Sequence, residues 1–156
     1  MRIACGYTFF WGWIFSNFHR CEFSVDGIVF CSSEQYFMYQ KALTFGDIDT
    51  AKLILLEREP KLQKDLGRKV AGFDDEIWKP LRKKHMFDGC YAKFSQNPEL
   101  SQQLLATKGT TLVEASPEDT IWGIGLAEDD DLCLDPSNWL GLNELGETLC
   151  KVRDLI

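Results

Sequence analysis

The 156-residue chain contains no CxxC pair, no cluster of cysteine with histidine, and no apolar run of the roughly 20 residues that a membrane span needs. Its six cysteines, Cys5, Cys21, Cys31, Cys90, Cys133 and Cys150, are scattered. No early segment combines a basic start, an apolar core and a small-residue cleavage site. These absences predict reduced thiols, a cytoplasmic location, no membrane partner, no metal centre and no bound cofactor. Basic residues are also in deficit: 17 Lys and Arg face 24 Asp and Glu, a net charge of -7. That argues against sequence-blind binding to nucleic acid or anionic membranes, although it leaves room for a local basic patch. Internal repeats and linker-like stretches are missing too. What remains is an ordinary globular composition, 45% hydrophobic and 26% charged. The length suits a single domain, residues 1–156, able to bury about two thirds of its unfolded surface without disulfides or metals.

The stretch from Ser32 to Ala42 organises the rest. Ser32 and Gln35 have capping-box spacing and mark a helix start. Glu34 and Lys41 lie about two turns apart with Phe37 and Met38 between them on one side. Tyr36, Tyr39 and Ala42 cover the other, so the helix is apolar nearly all round and belongs in a core. Burial disfavours the charged form of both Glu34 and Lys41. A pocket holding such a pair can tune a general acid or a nucleophilic amine, while a structural ion pair or a snorkelling lysine is the plainer reading.

Upstream, Ile3–Cys5 and Tyr7–Phe10 read as an opening strand, followed by an aromatic loop from Trp11 to Phe18 that is either core or a stacking wall for a planar ligand. Residues 21–25 and 28–30 flank Asp26-Gly27, a strong hairpin signal. Downstream, a helix starts near Asp47 and stops before Pro60, and another runs from Pro60 to Leu66, leaving Arg68 just past its end. Asp74 or Asp75 caps a helical region bearing Trp78 and Phe94, with Pro80 breaking it or starting its main part. Lys79, Arg82, Lys83 and Lys84 form either a solvated face or an anion-attracting rim. Asn97-Pro98 opens a further helix, and Thr110–Ala115 is a strand leading into the glycine-containing loop Ser116–Gly125. Glu128–Asp131 reads as a solvated acidic loop, and Leu142, Leu145, Leu149, Val152 and Ile156 as one face of a last helix.

Several of these segments, taken in order, carry a resemblance. Phe15-Ser16-Asn17-Phe18, Ser33-Glu34-Gln35-Tyr36-Phe37 with Lys41-Ala42, Gly67-Arg68, Lys93-Phe94-Ser95-Gln96-Asn97, Leu112–Ser116 with Asp119 and Trp122–Gly125, and Trp139 through Gly141, Asn143, Leu145-Gly146 and Val152-Arg153 resemble the NADAR, or YbiA-like, family over almost the whole chain. The resemblance implies an N-glycosidase of ribosyl compounds, acting on ADP-ribosylated guanine or early riboflavin-pathway intermediates. Its partners would be a small ribosyl or ADP-ribosyl substrate, with ADP-ribosylated nucleic acid among the candidates. A non-catalytic module that binds ADP-ribose-like ligands is the alternative. Glu34, Lys41 and Asp119 fall on motif positions associated with catalysis, and Asn17, Phe18, Arg68, Trp122, Gly123 and Asn143, together with Trp78 beside the basic run, are the candidate substrate-binding positions. Gln35 stands where many relatives have histidine and Leu140 where many have arginine, departures that bear on substrate preference.

The chemistry suits these residue types. N-glycosidic cleavage builds positive charge on the sugar, which a carboxylate stabilises while an acid helps the base depart. A lysine of lowered pKa can instead attack the anomeric carbon and hold the opened ribose as a Schiff base. In that scheme Trp78 and Trp122 are stacking surfaces and Arg68 a phosphate clamp. The expected fold is α+β, a single compact, mostly helical domain in which the Asp26-Gly27 hairpin and one or two more strands make a small antiparallel sheet against the helices.

Overall fold

The computed structural model describes residues 1–156. In chain order the elements are β1 (Arg2–Ala4), β2 (Tyr7–Phe10), β3 (Phe23–Val25), β4 (Ile28–Phe30), α1 (Ser33–Thr44), α2 (Ile48–Leu56), α3 (Pro60–Gly67), α4 (Asp75–Gln96), α5 (Pro98–Leu105), β5 (Thr111–Glu114) and α6 (Glu144–Arg153). Two short 3₁₀ turns, Asp131–Leu134 and Pro136–Asn138, precede α6. The fold is α+β and mostly helical. The chain packs as two compact units, Asn17–Asn97 and Met1–Ser16 with Pro98–Ile156.

In the Asn17–Asn97 unit, Asp26 and Gly27 take φ values of 50° and 79°, the left-handed pair that a two-residue hairpin requires. The resulting β3–β4 ribbon pairs Phe23 with Phe30 and packs both rings, with Tyr36 and Ala92, into a buried cluster. The ribbon hands the chain to α1. Ser32 caps that helix, its hydroxyl accepting from the Gln35 N–H at 3.0 Å. The Gln35 side chain reaches back one residue further than in a standard capping box: its Oε1 accepts from the Cys31 N–H at 2.8 Å. Its Nε2 donates to the carbonyls of Ile54 at 2.9 Å and Glu57 at 3.0 Å, tying the start of α1 to the end of α2. Gln63 of α3 completes the stitch, accepting from the Ser32 hydroxyl at 2.7 Å and donating to the Glu57 carbonyl at 2.7 Å.

Asp47 caps α2 through the Thr50 N–H and also accepts from the Ala71 N–H, which draws the segment after α3 back to the end of α1. Gly67 sits so close to Met38 that an added Cβ would lie 1.9 Å from its sulfur, and this approach brings Arg68 beside α1. Helix α4 runs unbroken from Asp75 to Gln96. Pro80 neither stops nor starts it; the proline lies in the second turn and removes one backbone donor, on an exposed side.

In the other unit, the expected single opening strand is a hairpin. Cys5 and Gly6 both adopt positive φ, 52° and 80°, and fold β1 back against β2. Strand β2 pairs in parallel with β5, Tyr7 with Thr111 through Phe10 with Glu114, so this three-stranded sheet is mixed and separate from the β3–β4 hairpin. Parallel strands need a long crossover, and here about a hundred residues separate the two. Phe9, Val113, Ala115, Ile124 and Cys133 form the core on this sheet. The acidic loop is partly engaged, since Asp131 accepts from Arg2 at 2.8 Å and Glu128 from the N-terminal ammonium. Helix α6 buries Leu145, Leu149 and Val152, but Leu142 and Ile156 lie beyond its ends and Leu142 is exposed.

Asn143, at φ 55°, precedes α6 and clamps β5: its Nδ2 donates to the Leu112 carbonyl at 3.0 Å and its Oδ1 accepts from the Glu114 N–H at 2.9 Å. Gly146 makes that approach possible, because a Cβ there would lie 2.2 Å from the Leu112 carbonyl oxygen and 2.4 Å from Asn143 Oδ1. Gly146→Ala therefore loses more by displacing backbone and clamp, about 1–3 kcal/mol or above, than the ~1 kcal/mol it gains in helix propensity. Thermal denaturation should show a clearly lower Tm; an unchanged or higher Tm would contradict this packing.

Candidate active site

The first turn of α1 is polar and buried, and Asn17 fixes its position. The Asn17 carbonyl accepts from the Glu34 N–H at 3.1 Å, its Oδ1 accepts from the Ser33 hydroxyl at 3.0 Å, and its Nδ2 donates to Met86 Sδ at 3.2 Å. Glu34 is only 6% exposed, so this carboxylate is held by a rigid turn away from bulk water. Two turns later Lys41 is half-buried, with Nζ 4.4 Å from the centre of the Phe73 ring. Burial lowers the Lys41 pKa below 10.5 and is the largest influence. Glu34 opposes that shift by attraction, Arg68 reinforces it by repulsion, and Asp75 opposes it again. The net direction is downward, which favours a neutral, nucleophilic amine.

Arg68 is 67% exposed at the C-terminal cap of α3 and 3.5 Å from Asp65, so its guanidinium faces water beside the Lys41 site. Phe18 is partly exposed, with Lys64 Nζ 5.8 Å from its ring centre. Trp78 is placed differently from a ligand-stacking surface. It is 5% exposed, stacked on His85 at 5.5 Å and packed on Phe37 at 5.2 Å. Phe45 bridges it to Phe73, which is the exposed member of this aromatic wall. Phe73 and Asp75 were not singled out as site residues from the sequence: Phe73 is one aromatic in an exposed Gly72-Phe73-Asp74-Asp75 stretch, and Asp75 read as a capping carboxylate. Lys93 was given no role either. It is fully buried, 5.1 Å from the Phe94 ring centre, and burial pushes its pKa down to about 8. Its depth suits a structural or positioning role rather than substrate contact.

The remaining site residues from the sequence belong to the other unit. Asp119 Oδ1 accepts from the N–H groups of Ile121 at 2.9 Å and Trp122 at 2.8 Å, closing the loop that carries Trp122. One carboxylate oxygen is thus spent on the turn. Gly123 is buried, and a Cβ there would lie 2.9 Å from the Glu114 carbonyl oxygen and 3.0 Å from that of Asp119. Its need for glycine is met by packing within the loop. Trp122 is half-buried, and Asn143 is committed to β5 as described. Glu34, Lys41, Arg68, Asn17, Phe18 and Trp78 thus share one unit, and Asp119, Trp122, Gly123 and Asn143 the other. No three His, Cys, Asp or Glu side chains converge as metal ligands would, and no helix is long and apolar enough to cross a membrane.

The Lys41 environment has a measurable linkage. With a folded-state pKa below the unfolded value of 10.5, the fold carries a penalty for the ammonium at neutral pH. That penalty disappears as pH rises from the folded pKa toward 10.5, where the unfolded chain holds more protons. Lys41→Met should accordingly be at least as stable as the parent near pH 7, and its relative advantage should shrink toward pH 10.5. Paired melting curves across that range test this, and a variant much less stable at pH 7 would mean that Lys41 is a stabilising ionic partner.

Comparison with known proteins bears on this geometry. Residues 9–156 match the model of the NADAR domain. Protein irg-1 of Caenorhabditis elegans is 43% identical over 157 residues, covering 90% of this chain and 74% of that protein. N-glycosidase R617 of Acanthamoeba polyphaga mimivirus is 40% identical over 153 residues, covering 96% of this chain and 88% of its own length. Among solved structures, the NMR structure of the E. coli protein YbiA superposes with a TM-score of 0.80 at 28% identity, covering 99% of this chain and 86% of YbiA. With the family model spanning residues 9–156 and these relatives matching over most of their length, the chain belongs to the NADAR domain family.

Proposed function

We propose that this protein is an N-glycosidase that hydrolyses the bond between ribose and a heterocyclic base, with Lys41 as nucleophile. The observation that carries the reading is Lys41 itself: a half-buried amine whose charged form is disfavoured by burial and by Arg68, on the same helix as the nearly inaccessible carboxyl of Glu34. The N-glycosidase name of a relative 40% identical to this chain supports the reaction class. Substrates that fit are ADP-ribosylated guanine, free or in nucleic acid, and the early ribosyl intermediates of riboflavin synthesis.

The neutral Lys41 Nζ attacks C1′ of the ribose as the C1′–N bond breaks, and the bonding pair leaves with the base. The departing base takes a proton from an acid, for which Glu34, on the same helix as Lys41, is the donor. The alkylated nitrogen then gives up a proton, its lone pair forms the C1′=N bond as the C1′–O4′ bond breaks, and O4′ takes up that proton as a hydroxyl, leaving a Schiff base on Lys41. Water then adds to the imine carbon, and collapse of that adduct frees the sugar and returns the amine. In the stages where C1′ is electron-poor, a carboxylate nearby stabilises it. Arg68 is the clamp for a phosphate on the sugar, since its guanidinium is exposed and its side-chain partner, Asp65, is a partly exposed neighbour one turn away. Gln35 takes no part: its amide is buried and its contacts run to backbone groups of Cys31, Ile54, Leu55 and Glu57.

Incubation with ADP-ribosylated guanine DNA, riboflavin-pathway ribosyl intermediates and NAD derivatives should release free base from at least one class, detected chromatographically. Lys41→Met and Glu34→Gln should each lower that rate by roughly 10²-fold or more. Borohydride added during turnover should leave a stable adduct, one sugar-phosphate heavier, on the peptide containing Lys41. Binding without release of base from any of them would assign the chain to a ligand-binding module, and turnover without a trapped adduct would replace the Schiff base by direct attack of water.

A further inference from the structure

Two tryptophans stand where an apolar core would not leave them. Trp11 is 60% and Trp13 68% exposed, and neither indole makes a hydrogen bond or a ring contact. They belong to a turn that is itself firmly built. Gly12 has φ 76° and Trp13 φ 58°, the latter in the left-handed region that bulky residues avoid. The Ser16 N–H donates to the carbonyls of Gly12 and Trp13, each at 3.2 Å, and the next two side chains, Ile14 and Phe15, are buried, with Phe15 on Phe10 at 5.3 Å. A strained, hydrogen-bonded turn that spends its backbone on displaying two bare indoles points to a ligand.

Topology says where that ligand lies. Strands β2 and β5 run parallel, Phe10 stands beside Glu114, and the Ala115 N–H donates to the Phe10 carbonyl at 2.8 Å. The segments that follow them, Trp11–Ser16 and Ser116–Gly125, therefore leave the sheet at the same end. The second segment holds Asp119 and Trp122. We infer that the Trp11–Trp13 turn is a stacking subsite for the flat heterocycle of a nucleotide-like ligand. This rests on the N-glycosidase reading for the identity of the heterocycle, but its test does not need turnover. Aromatic stacking accepts any base with a π face, so the subsite supplies affinity for a planar group without selecting its edge.

Guanosine 5′-monophosphate and ribose 5-phosphate share sugar and phosphate and differ by the base, so their binding to the full chain, followed by calorimetry and by tryptophan fluorescence, isolates the subsite. The nucleotide should bind more tightly than ribose 5-phosphate and quench the fluorescence. Trp11→Ala with Trp13→Ala should weaken the nucleotide by about 5- to 150-fold, leave ribose 5-phosphate unchanged, and be largely rescued by phenylalanine at both positions. The proposal is overturned if the two probes bind the parent equally, if the double alanine variant keeps its preference for the nucleotide, or if it loses both probes together. Failure of the N-glycosidase reading looks different: no base is released from any ribosyl substrate, while the Trp-dependent preference for the nucleotide persists.

Discussion

Burying the polar first turn of α1 is the constraint on which the Asn17–Asn97 unit depends. Ser32, Ser33, Glu34 and Gln35 all lie out of water, as do Asn17 and Gln63. A buried donor or acceptor without a partner costs about 1–3 kcal/mol, so these groups fix one another. Gln35 answers the open carbonyls at the end of α2, Gln63 answers the Ser32 hydroxyl, and Asn17 answers the Glu34 N–H and the Ser33 hydroxyl. The helices around α1 are arranged by this network as much as by apolar contact. Its consequence for function is that Glu34 is delivered to a fixed place on a rigid helix, and Lys41 follows two turns later on the same face.

Competition between burial and charge then sets the state of Lys41. Desolvation lowers its pKa, Arg68 adds to that, and Glu34 and Asp75 pull the other way, with desolvation the largest influence. The contact the ammonium makes is with the face of Phe73, a cation–π interaction that stabilises the charge less than a buried salt bridge would. Lys93 shows the same physics without the access. It is pushed down to about 8 by complete burial; the pKa of His19 is lowered chiefly by burial, with Lys93 adding to that shift. The two lysines differ in what can reach them.

Much of this was legible in the sequence because the signals were local. Ser32 with Gln35, Asp26-Gly27, Asp47 and the Pro60 boundary each state a cap, a turn or a stop within four residues, and each stands in the structure. The even apolar cover around α1 was readable as burial for the same reason. What was not legible depends on distant partners. The parallel pairing of β2 with β5 joins residues about a hundred positions apart, and nothing in Tyr7–Phe10 announces it. The Cys5-Gly6 turn lacks the usual asparagine or aspartate, so its hairpin read as one strand. Trp78 read as a stacking surface because its neighbours are basic, yet His85, one helical face-repeat away, covers it. Trp11 and Trp13 read as either core or a stacking wall, and the structure leaves both exposed, with Trp13 at positive φ. Phe73 and Arg68 join Lys41 through the packing of Gly67 on Met38 and of Asp47 on Ala71, contacts that no short window contains.

The most direct test of the account is the titration of Lys41 itself, followed by NMR of isotope-labelled lysine side chains and assigned by the signal lost in Lys41→Met. The account predicts a midpoint below that of the exposed lysines, falling further in Glu34→Gln, where an attraction is removed, and rising in Arg68→Ala, where a repulsion is removed. A Lys41 signal that titrates with the exposed lysines near about 10.4, indifferent to both substitutions, would contradict it.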